Sequence, residues 1–215
     1  MALGADGKRG HAVNAGDEPA VRAQRLGRQN ATSRAELSHI ALTLFIERGF
    51  EQTTVDDIAA AAGIGRRTLF RYFPSKNDLP WGDFDEELDG MRKHLDSLPP
   101  DMPIAEALSL AVIEFNSFPA EEIPVHRERM MLLLSVPALV AHSTLRYIAW
   151  RSIIADYVAR RLGTAATDHG PQTAAWILLG ISLASYEQWL QDDDADLTTV
   201  LTESFATLRR TFTTD

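Results

Sequence analysis

The 215-residue sequence contains no cysteine, which excludes disulfide scaffolds, thiolate metal sites and cysteine nucleophiles. It also lacks a long hydrophobic run, because its most apolar stretch, 174–186, is shorter than the ~20 residues that a membrane-spanning helix needs. The N-terminal segment carries charges without an apolar centre, so we predict no secretory signal. These absences favour a cytoplasmic protein that does not enter a membrane.

Charge is unevenly distributed along the chain. The formal net charge is −9, which by itself argues against binding to nucleic acid. Residues 1–76 nevertheless carry 11 Lys and Arg against 8 Asp and Glu, a net charge of +3, whereas residues 77–215 carry 10 against 22, a net charge of −12. This asymmetry predicts a small basic head, suited to DNA, on an acidic body.

Hydrophobic residues recur at helical spacing along most of the chain, and no segment shows the alternation of a strand. We therefore predict an all-α protein with a flexible basic tail over 1–31, a helix-turn-helix DNA-binding domain over 32–76 and a helical domain over 77–215. Two interpretations of Arg22, Arg25 and Arg28 in the tail stay open: an arm that follows a DNA groove, and a solvated segment.

Capping residues predict where several helices begin and end. Ser33 is a candidate cap for the first helix, and Gly49 is in the position that glycine favours after a helix end. Ser75 predicts a later helix that continues towards Leu95. Pro80 should kink that helix or delay its regular start, because proline lacks the amide hydrogen that a helix interior uses.

Residues 53–76 have the parts of a helix-turn-helix. Thr54 and Asp57 predict a carboxylate variant of the capping box at the start of its first helix. Gly63 supplies a turn residue that tolerates a positive φ, and Ile64 supplies the core residue that must follow the turn.

The second helix of this unit, 66–73, has one apolar and one polar face. Leu69 and Phe73 are predicted to pack inward, and three arginines within six residues are left to face outward. Arginine matches guanine edges or phosphates with paired hydrogen bonds. Together with polar side chains that can reach the DNA backbone, the candidate DNA-binding residues are Thr54, Arg66, Arg67, Thr68, Arg71, Tyr72 and Lys76.

The segment TTVDDIAAAAGIGRRTLFRYFPSKNDL, residues 53–79, resembles the head of TetR-type transcriptional regulators, which usually reads TTVxDIAxxAGVSxGTLYxHFxSKExL. Three positions depart from that pattern: Gly65 replaces a serine, Arg67 a glycine and Phe70 a tyrosine. The last change removes a hydroxyl that commonly meets phosphate in the family, and the added arginine could read a base. The operator sequence therefore cannot be inherited from the resemblance.

The resemblance implies an all-helical homodimer with an N-terminal three-helix DNA-binding head and a C-terminal ligand-binding and dimerisation domain. It implies a repressor that binds a palindromic operator in double-stranded DNA and releases it when a small-molecule effector binds. The resemblance also implies that Thr68, Tyr72 and Lys76 contact DNA. FPSKNDLPWGDFDEEL, residues 73–88, also resembles the TetR-type regulators found with mycofactocin biosynthesis genes, which would imply control of a redox-cofactor, lipid or alcohol metabolism locus.

The middle helices carry aromatic and methionine side chains that suit a large, flexible apolar or amphipathic effector, of which a fatty acyl thioester is one candidate. The candidate effector-binding residues are Phe84, Phe115, Phe118, Met130, Met131, Leu134, Tyr147, Trp150 and Ile154. The segment 171–190 is apolar nearly all round, and the last helix has one apolar stripe. Both helices would either fill the protomer core or pair with their symmetry mates; the candidate dimer residues are Trp176, Leu179, Leu183, Tyr186, Leu201, Phe205 and Leu208.

Two other classes of protein fit less well. For an enzyme, residues 180–184 are one residue short of a nucleophile elbow and follow no strand, and Glu122 with His126 lacks a third metal ligand. A helical scaffold or interaction protein without sequence-specific DNA binding would leave the three arginines without a purpose. We therefore expect a regulator that is not an enzyme and that uses no cofactor or metal.

Overall fold

The computed structural model describes residues 33–212, and the tail predicted over 1–31 lies outside them. The described residues are helical and contain no strand, as predicted. The elements are α1 (Arg34–Arg48), α2 (Val55–Ala61), α3 (Arg66–Tyr72), a 3₁₀ segment (Lys76–Trp81), α4 (Phe84–Ser97), α5 (Ile104–Phe115), α6 (Ile123–Ser135), α7 (Pro137–Leu162), α8 (His169–Trp189) and α9 (Leu197–Phe212).

Local caps account for the first helices. The hydroxyl of Ser33 accepts a hydrogen bond from the amide of Glu36 at 3.0 Å, which starts α1. At α2 the predicted capping box is present: the amide of Asp57 donates to Thr54 Oγ1 at 3.1 Å, and the amide of Thr54 donates to Asp57 Oδ2 at 2.8 Å. Gly63 has φ of 64°, the left-handed conformation predicted for the turn before α3.

The helix predicted from Ser75 towards Leu95 has the delayed regular start that Pro80 predicts, because a 3₁₀ segment precedes α4. The amide and the hydroxyl of Ser75 both donate to Asp78 Oδ2 at the start of the 3₁₀ segment. Pro80 lies inside this segment and supplies no amide hydrogen for an α-helical ladder. Gly82, with φ of 54°, then turns the chain, and α4 begins two residues later.

The 3₁₀ segment joins the predicted DNA-binding head to the body. In the head, α1 packs on α2 and α2 on α3, with Ile58 and Leu69 almost fully buried between them. In the body, α7 packs on α4, α5, α6 and α8, while α9 covers α8 and α5. The 3₁₀ segment contacts both α1 and α7, and buried Leu79 and Trp81 belong to one continuous hydrophobic core.

Within residues 33–212, no single helix is long and apolar enough to cross a membrane. Helices α6 and α7 reach the length and apolar composition of a membrane-spanning segment only when they are counted together, and they meet at a bend of 100°.

Candidate DNA-binding surface and effector cavity

The outer face of α3 is arginine-rich. Arg66, Arg67, Phe70 and Arg71 are all exposed, and their spacing places them on one side of the helix, opposite buried Leu69. Arg67 and Arg71 make no hydrogen bond or ion pair with any other residue that the structure describes. Their guanidinium groups are therefore available to an external anion or base edge.

Arg66 is only weakly engaged. Its Nη1 lies 3.4 Å from Asp56 Oδ2, and both side chains are more than half exposed. Its guanidinium carbon also lies 5.6 Å from the centroid of the Phe70 ring. Exposed ion pairs contribute about 0–1 kcal/mol, so a phosphate can replace this partner at little cost.

Arg34 on α1 fixes the end of α3. Its guanidinium donates to the backbone carbonyl of Tyr72 and, at 3.1 Å, to that of Gly82. The same group pairs with Asp83 at 3.2 Å and lies 4.4 Å from the centroid of the Phe73 ring. The C-terminal end of α3 is thereby tied both to α1 and to the turn that precedes α4.

Lys76 has a role that the sequence analysis missed. Its ammonium donates to the carbonyls of Phe50 at 2.8 Å and Thr53 at 3.1 Å, and it lies 4.1 Å from the centroid of the Phe50 ring. It therefore stabilises the loop between α1 and α2. Its predicted contact with DNA stays a prediction, as do those of exposed Thr54, whose hydroxyl belongs to the α2 cap, and of half-buried Thr68 and Tyr72.

Asp78 connects the 3₁₀ segment to α7. Its Oδ2 accepts from the amide and hydroxyl of Ser75 at 3.0 and 2.7 Å, and its Oδ1 accepts from His142 Nε2 and Arg146 Nη2, each at 2.8 Å. Burial by itself would raise the pKa of this carboxyl, but the hydrogen bonds from Ser75, His142 and Arg146 outweigh it and hold the pKa below its usual value. Asp78 is therefore charged at neutral pH.

A partly open cavity of about 70 Å³ lies among the helices of the body. Six of the predicted effector-binding residues line it: Phe84, Phe115, Phe118, Met130, Tyr147 and Trp150. Three do not and are corrected. Met131 is 51% exposed and Leu134 is half-buried, because each directly follows a lining residue and is rotated by about 100° from it. Ile154 is fully buried in the core.

Ten further residues line the cavity: Trp81, Glu87, Asn116, His126, Arg129, Leu133, Leu179, Ser182, Leu183 and Tyr186. In the sequence, His126 stands out only as a possible metal ligand beside Glu122, without a third ligand. Three or more His, Asp and Glu residues do not gather into a metal site anywhere in the described part of the chain. The signal that could have located His126 is its place four residues before Met130 on α6, which puts both on one face.

A polar chain runs through the wall of this cavity. Tyr186 donates its hydroxyl hydrogen to Asn116 Oδ1 at 2.6 Å, and His126 Nε2 lies 2.9 Å from the same hydroxyl. The His126 ring stacks on Phe118 with 3.8 Å between centroids. Burial, and secondarily the charge of Arg129, lower the pKa of His126 to about 3, while burial raises the pKa of Tyr186. Both side chains are therefore uncharged at neutral pH.

The positions predicted for a dimer interface are mostly inside the protomer. Leu179, Leu183 and Tyr186 line the cavity, and Leu201 and Phe205 are core residues with at most 5% exposure. Leu183 is half-buried and the other four are buried within the protomer, so their predicted place in a dimer interface stays a prediction. Trp176 is 57% exposed beneath Arg151, and Leu208 is half-buried beside an open groove between α8 and α9. The groove is lined by Gly180, Ile181, Ala184, Gln188, Val200, Glu203, Ser204, Thr207, Leu208 and Thr211, among others.

An all-helical chain with an arginine-bearing helix-turn-helix and an apolar cavity among its later helices has the architecture of a DNA-binding transcriptional regulator. The family model for bacterial regulatory proteins of the tetR family matches residues 39–79, and the model for the MftR C-terminal domain matches residues 102–213, more than half of the chain. The protein belongs to the TetR family of transcriptional regulators. The expectation that it is not an enzyme agrees with this family.

The resemblance to regulators found with mycofactocin genes is also confirmed. A relative from Mycobacterium tuberculosis strain H37Rv, named as a mycofactocin biosynthesis transcriptional regulator (MftR), is 45% identical over 181 residues, which cover 84% of this chain and 91% of the relative.

Solved structures share the fold. FadR from Thermus thermophilus, in complex with lauroyl-CoA, aligns with a TM-score of 0.55 and 22% identity, covering 85% of this chain and 96% of FadR. FadR from Bacillus subtilis, in complex with stearoyl-CoA, aligns with a TM-score of 0.56 and 18% identity, covering 80% of this chain and 95% of that one.

Proposed function

We propose that this protein is a dimeric repressor that binds a palindromic operator and releases it when a small apolar or amphipathic molecule enters the cavity. The observation that carries the proposal is the physical link between the two sites. Trp81 lines the cavity three residues after Asp78, and Asp78 holds the last part of the head against α7. Cavity and head therefore share one short segment.

On the DNA side, we assign base-edge and phosphate contacts to Arg66, Arg67 and Arg71, which share the exposed face of α3. Thr54 at the start of α2 is placed to contact phosphate, and Thr68 and Tyr72 border the arginine face. We assign Lys76 to the same surface, where its bonds to the α1–α2 loop also position that loop.

Effector binding would act through α7. His142 and Arg146 hold Asp78, and Tyr147 and Trp150 line the cavity on the same helix within two turns. An effector that pushes on the two aromatic residues favours a position of α7 that carries the head with it. The two reading helices of the dimer would then lose the spacing of about 34–36 Å that successive major grooves require.

The lining supports an effector with a large apolar part, because nine of its sixteen residues are Leu, Met, Phe or Trp. The same fold in FadR accommodates lauroyl-CoA and stearoyl-CoA. A fatty acyl thioester is therefore one effector class that we propose. The name of the mycobacterial relative supports a locus for mycofactocin biosynthesis as the regulated target.

We propose that the open groove between α8 and α9 is the face that meets the second subunit. A Cβ placed on Gly180 would have no heavy atom within 4 Å, so the protomer leaves room there for a partner helix. We also propose that the boundary between the two domains lies between residues 76 and 77 and that the protein is cytoplasmic. Gly180→Leu should weaken dimerisation without unfolding the protomer, as measured by light scattering and circular dichroism.

The test is fluorescence anisotropy with DNA from upstream of the protein's own gene and its neighbours, titrated with salt and with unlabelled random competitor. We expect binding that survives the competitor and decreases steeply with salt. Release of that DNA by an acyl thioester would support the effector class. Negligible affinity for every DNA, random DNA included, would refute the proposal and favour a helical scaffold or interaction protein.

A further inference from the structure

The exposed face of α3 carries one side chain that has no charge. The whole helix is within the described residues, and the four side chains that it exposes are Arg66, Arg67, Phe70 and Arg71. Phe70 is 39% exposed, whereas Leu69 and Phe73 are each 1% exposed. The core of the head therefore takes Leu69 and Phe73 and leaves the Phe70 ring at the surface.

The Phe70 ring lies between the arginines and not beside them. Successive residues of an α-helix are rotated by about 100°, so Phe70 is about 40° from Arg66 on one side and about 60° from Arg67 on the other. The guanidinium carbon of Arg66 lies 5.6 Å from the centroid of the Phe70 ring, which confirms that the two side chains are neighbours. A surface that contacts both arginines therefore covers Phe70 as well.

An aromatic ring at this position favours an apolar partner on the DNA. Covering the ring with polar atoms alone would take those atoms out of water without a new hydrogen bond, which costs free energy. The base edges in the major groove present hydrogen-bond donors and acceptors and only one kind of apolar group, the C5 methyl of thymine. Contact between this methyl group and a phenylalanine ring removes apolar area of both from water.

We propose that the Phe70 ring contacts the C5 methyl group of a thymine in the major groove of the operator. Each half-site then contains a thymine at the position that the ring reaches. The deoxyribose rings of the DNA backbone are the other apolar surface available, but they are alike at every base and would give no preference for thymine. This inference deepens the proposed function and rests on its assignment of α3 to the DNA.

The test removes the methyl group from the DNA and leaves the rest of the base in place. Wild-type protein first selects its preferred duplex from a library of random sequences, and each thymine of one half-site is then replaced in turn by 2′-deoxyuridine. Uracil keeps every hydrogen-bonding group of thymine and lacks only the methyl. At one thymine position we expect the replacement to raise the Kd, measured by fluorescence anisotropy, about threefold to fivefold, the factor for burying one methyl-sized group.

Three variants locate the effect. Phe70→Ala removes an exposed ring, so its circular dichroism should match the wild type, and it should bind the thymine and uracil duplexes with equal affinity. Phe70→Tyr keeps the aromatic ring and should remain sensitive to uracil. Ile46→Ala shortens an apolar side chain of similar exposure, 44%, on α1. It is the matched control and should retain the full sensitivity.

The same measurements separate this inference from the proposed function. Specific binding by the wild type that is indifferent to uracil at every position would overturn the thymine contact and leave the proposed repressor standing. A sensitivity to uracil that persists undiminished in Phe70→Ala would also overturn it, because another side chain would then contact the methyl group. If no duplex is preferred over random DNA, the proposed function is refuted and the thymine contact with it.

Discussion

Replacing Asp78 by asparagine should disconnect the DNA-binding head from α7. The carboxylate accepts hydrogen bonds on both oxygens, from Ser75 on one side and from His142 and Arg146 on the other. Asparagine keeps the shape but presents an NH₂ group to one of these two sets of donors. At least one donor set therefore faces another donor, and the charge that attracts the guanidinium is lost.

The size of this effect follows from the burial of the group, since the Asp78 side chain is 8% exposed and that of Arg146 is 16% exposed. Hydrogen bonds to charged groups contribute about 1.5–3 kcal/mol each. Asparagine still accepts some of these hydrogen bonds, from one of the two sets of donors. We expect the free energy of unfolding to fall by about 2–4 kcal/mol, or Tm by about 4–16 °C for a chain of this size.

Thermal unfolding at neutral pH, followed by circular dichroism, measures the loss. The folded pKa of Asp78 is depressed, so its contribution is present above the unfolded value of about 3.9 and is lost as pH falls through the lower folded value. Wild type and variant should thus converge only in strong acid. Asp85→Asn is the control, because Asp85 contacts the same Arg146 at 3.3 Å but is 72% exposed. Equal losses in both variants would refute the reasoning.

Three further predictions concern other parts of the molecule. Acidification from pH 6.5 towards 3 should destabilise the wild type more than His126→Phe, by at most ~1.4 kcal/mol per pH unit. The reason is that His126 binds a proton in the unfolded chain but not as a buried ring in the folded protein. Parallel pH profiles of urea unfolding for the two proteins would contradict this. Lys76→Met should lower the free energy of unfolding by about 1–3 kcal/mol, since the carbonyls of Phe50 and Thr53 lose their donor; an unchanged urea midpoint would argue against that role. Arg67→Ala should relax the preference for particular base pairs in a binding selection, and a uniform loss across all DNA sequences would exclude base reading.

The helix-turn-helix could be predicted because its signals are local. A cap such as Thr54 acts through Asp57 three residues away, and Gly63 determines the turn by its own backbone freedom. The exposed arginines of α3 follow from the same periodicity that buries Leu69. Nothing outside 53–79 is needed to place them.

The cavity could be predicted only in part, because its polar wall depends on tertiary packing. Asn116, His126 and Tyr186 lie on or beside different helices, and no spacing in the sequence connects them. Periodicity also failed on α8, which is apolar nearly all round. With no polar face to mark the outside, the sequence does not show that Tyr186 and Leu179 line the cavity.

The shared 3₁₀ segment has a consequence for exchanging parts between regulators. A chimera joined at residue 76 takes Ser75 from one parent and Asp78 from the other, and a junction after Gly82 separates Asp78 from His142 and Arg146. In neither chimera is the head fixed to the body of the other regulator, unless that body supplies the same hydrogen-bond donors. Sensors built from this protein should therefore keep head and body together and change specificity from within, at the cavity wall or on the outer face of α3.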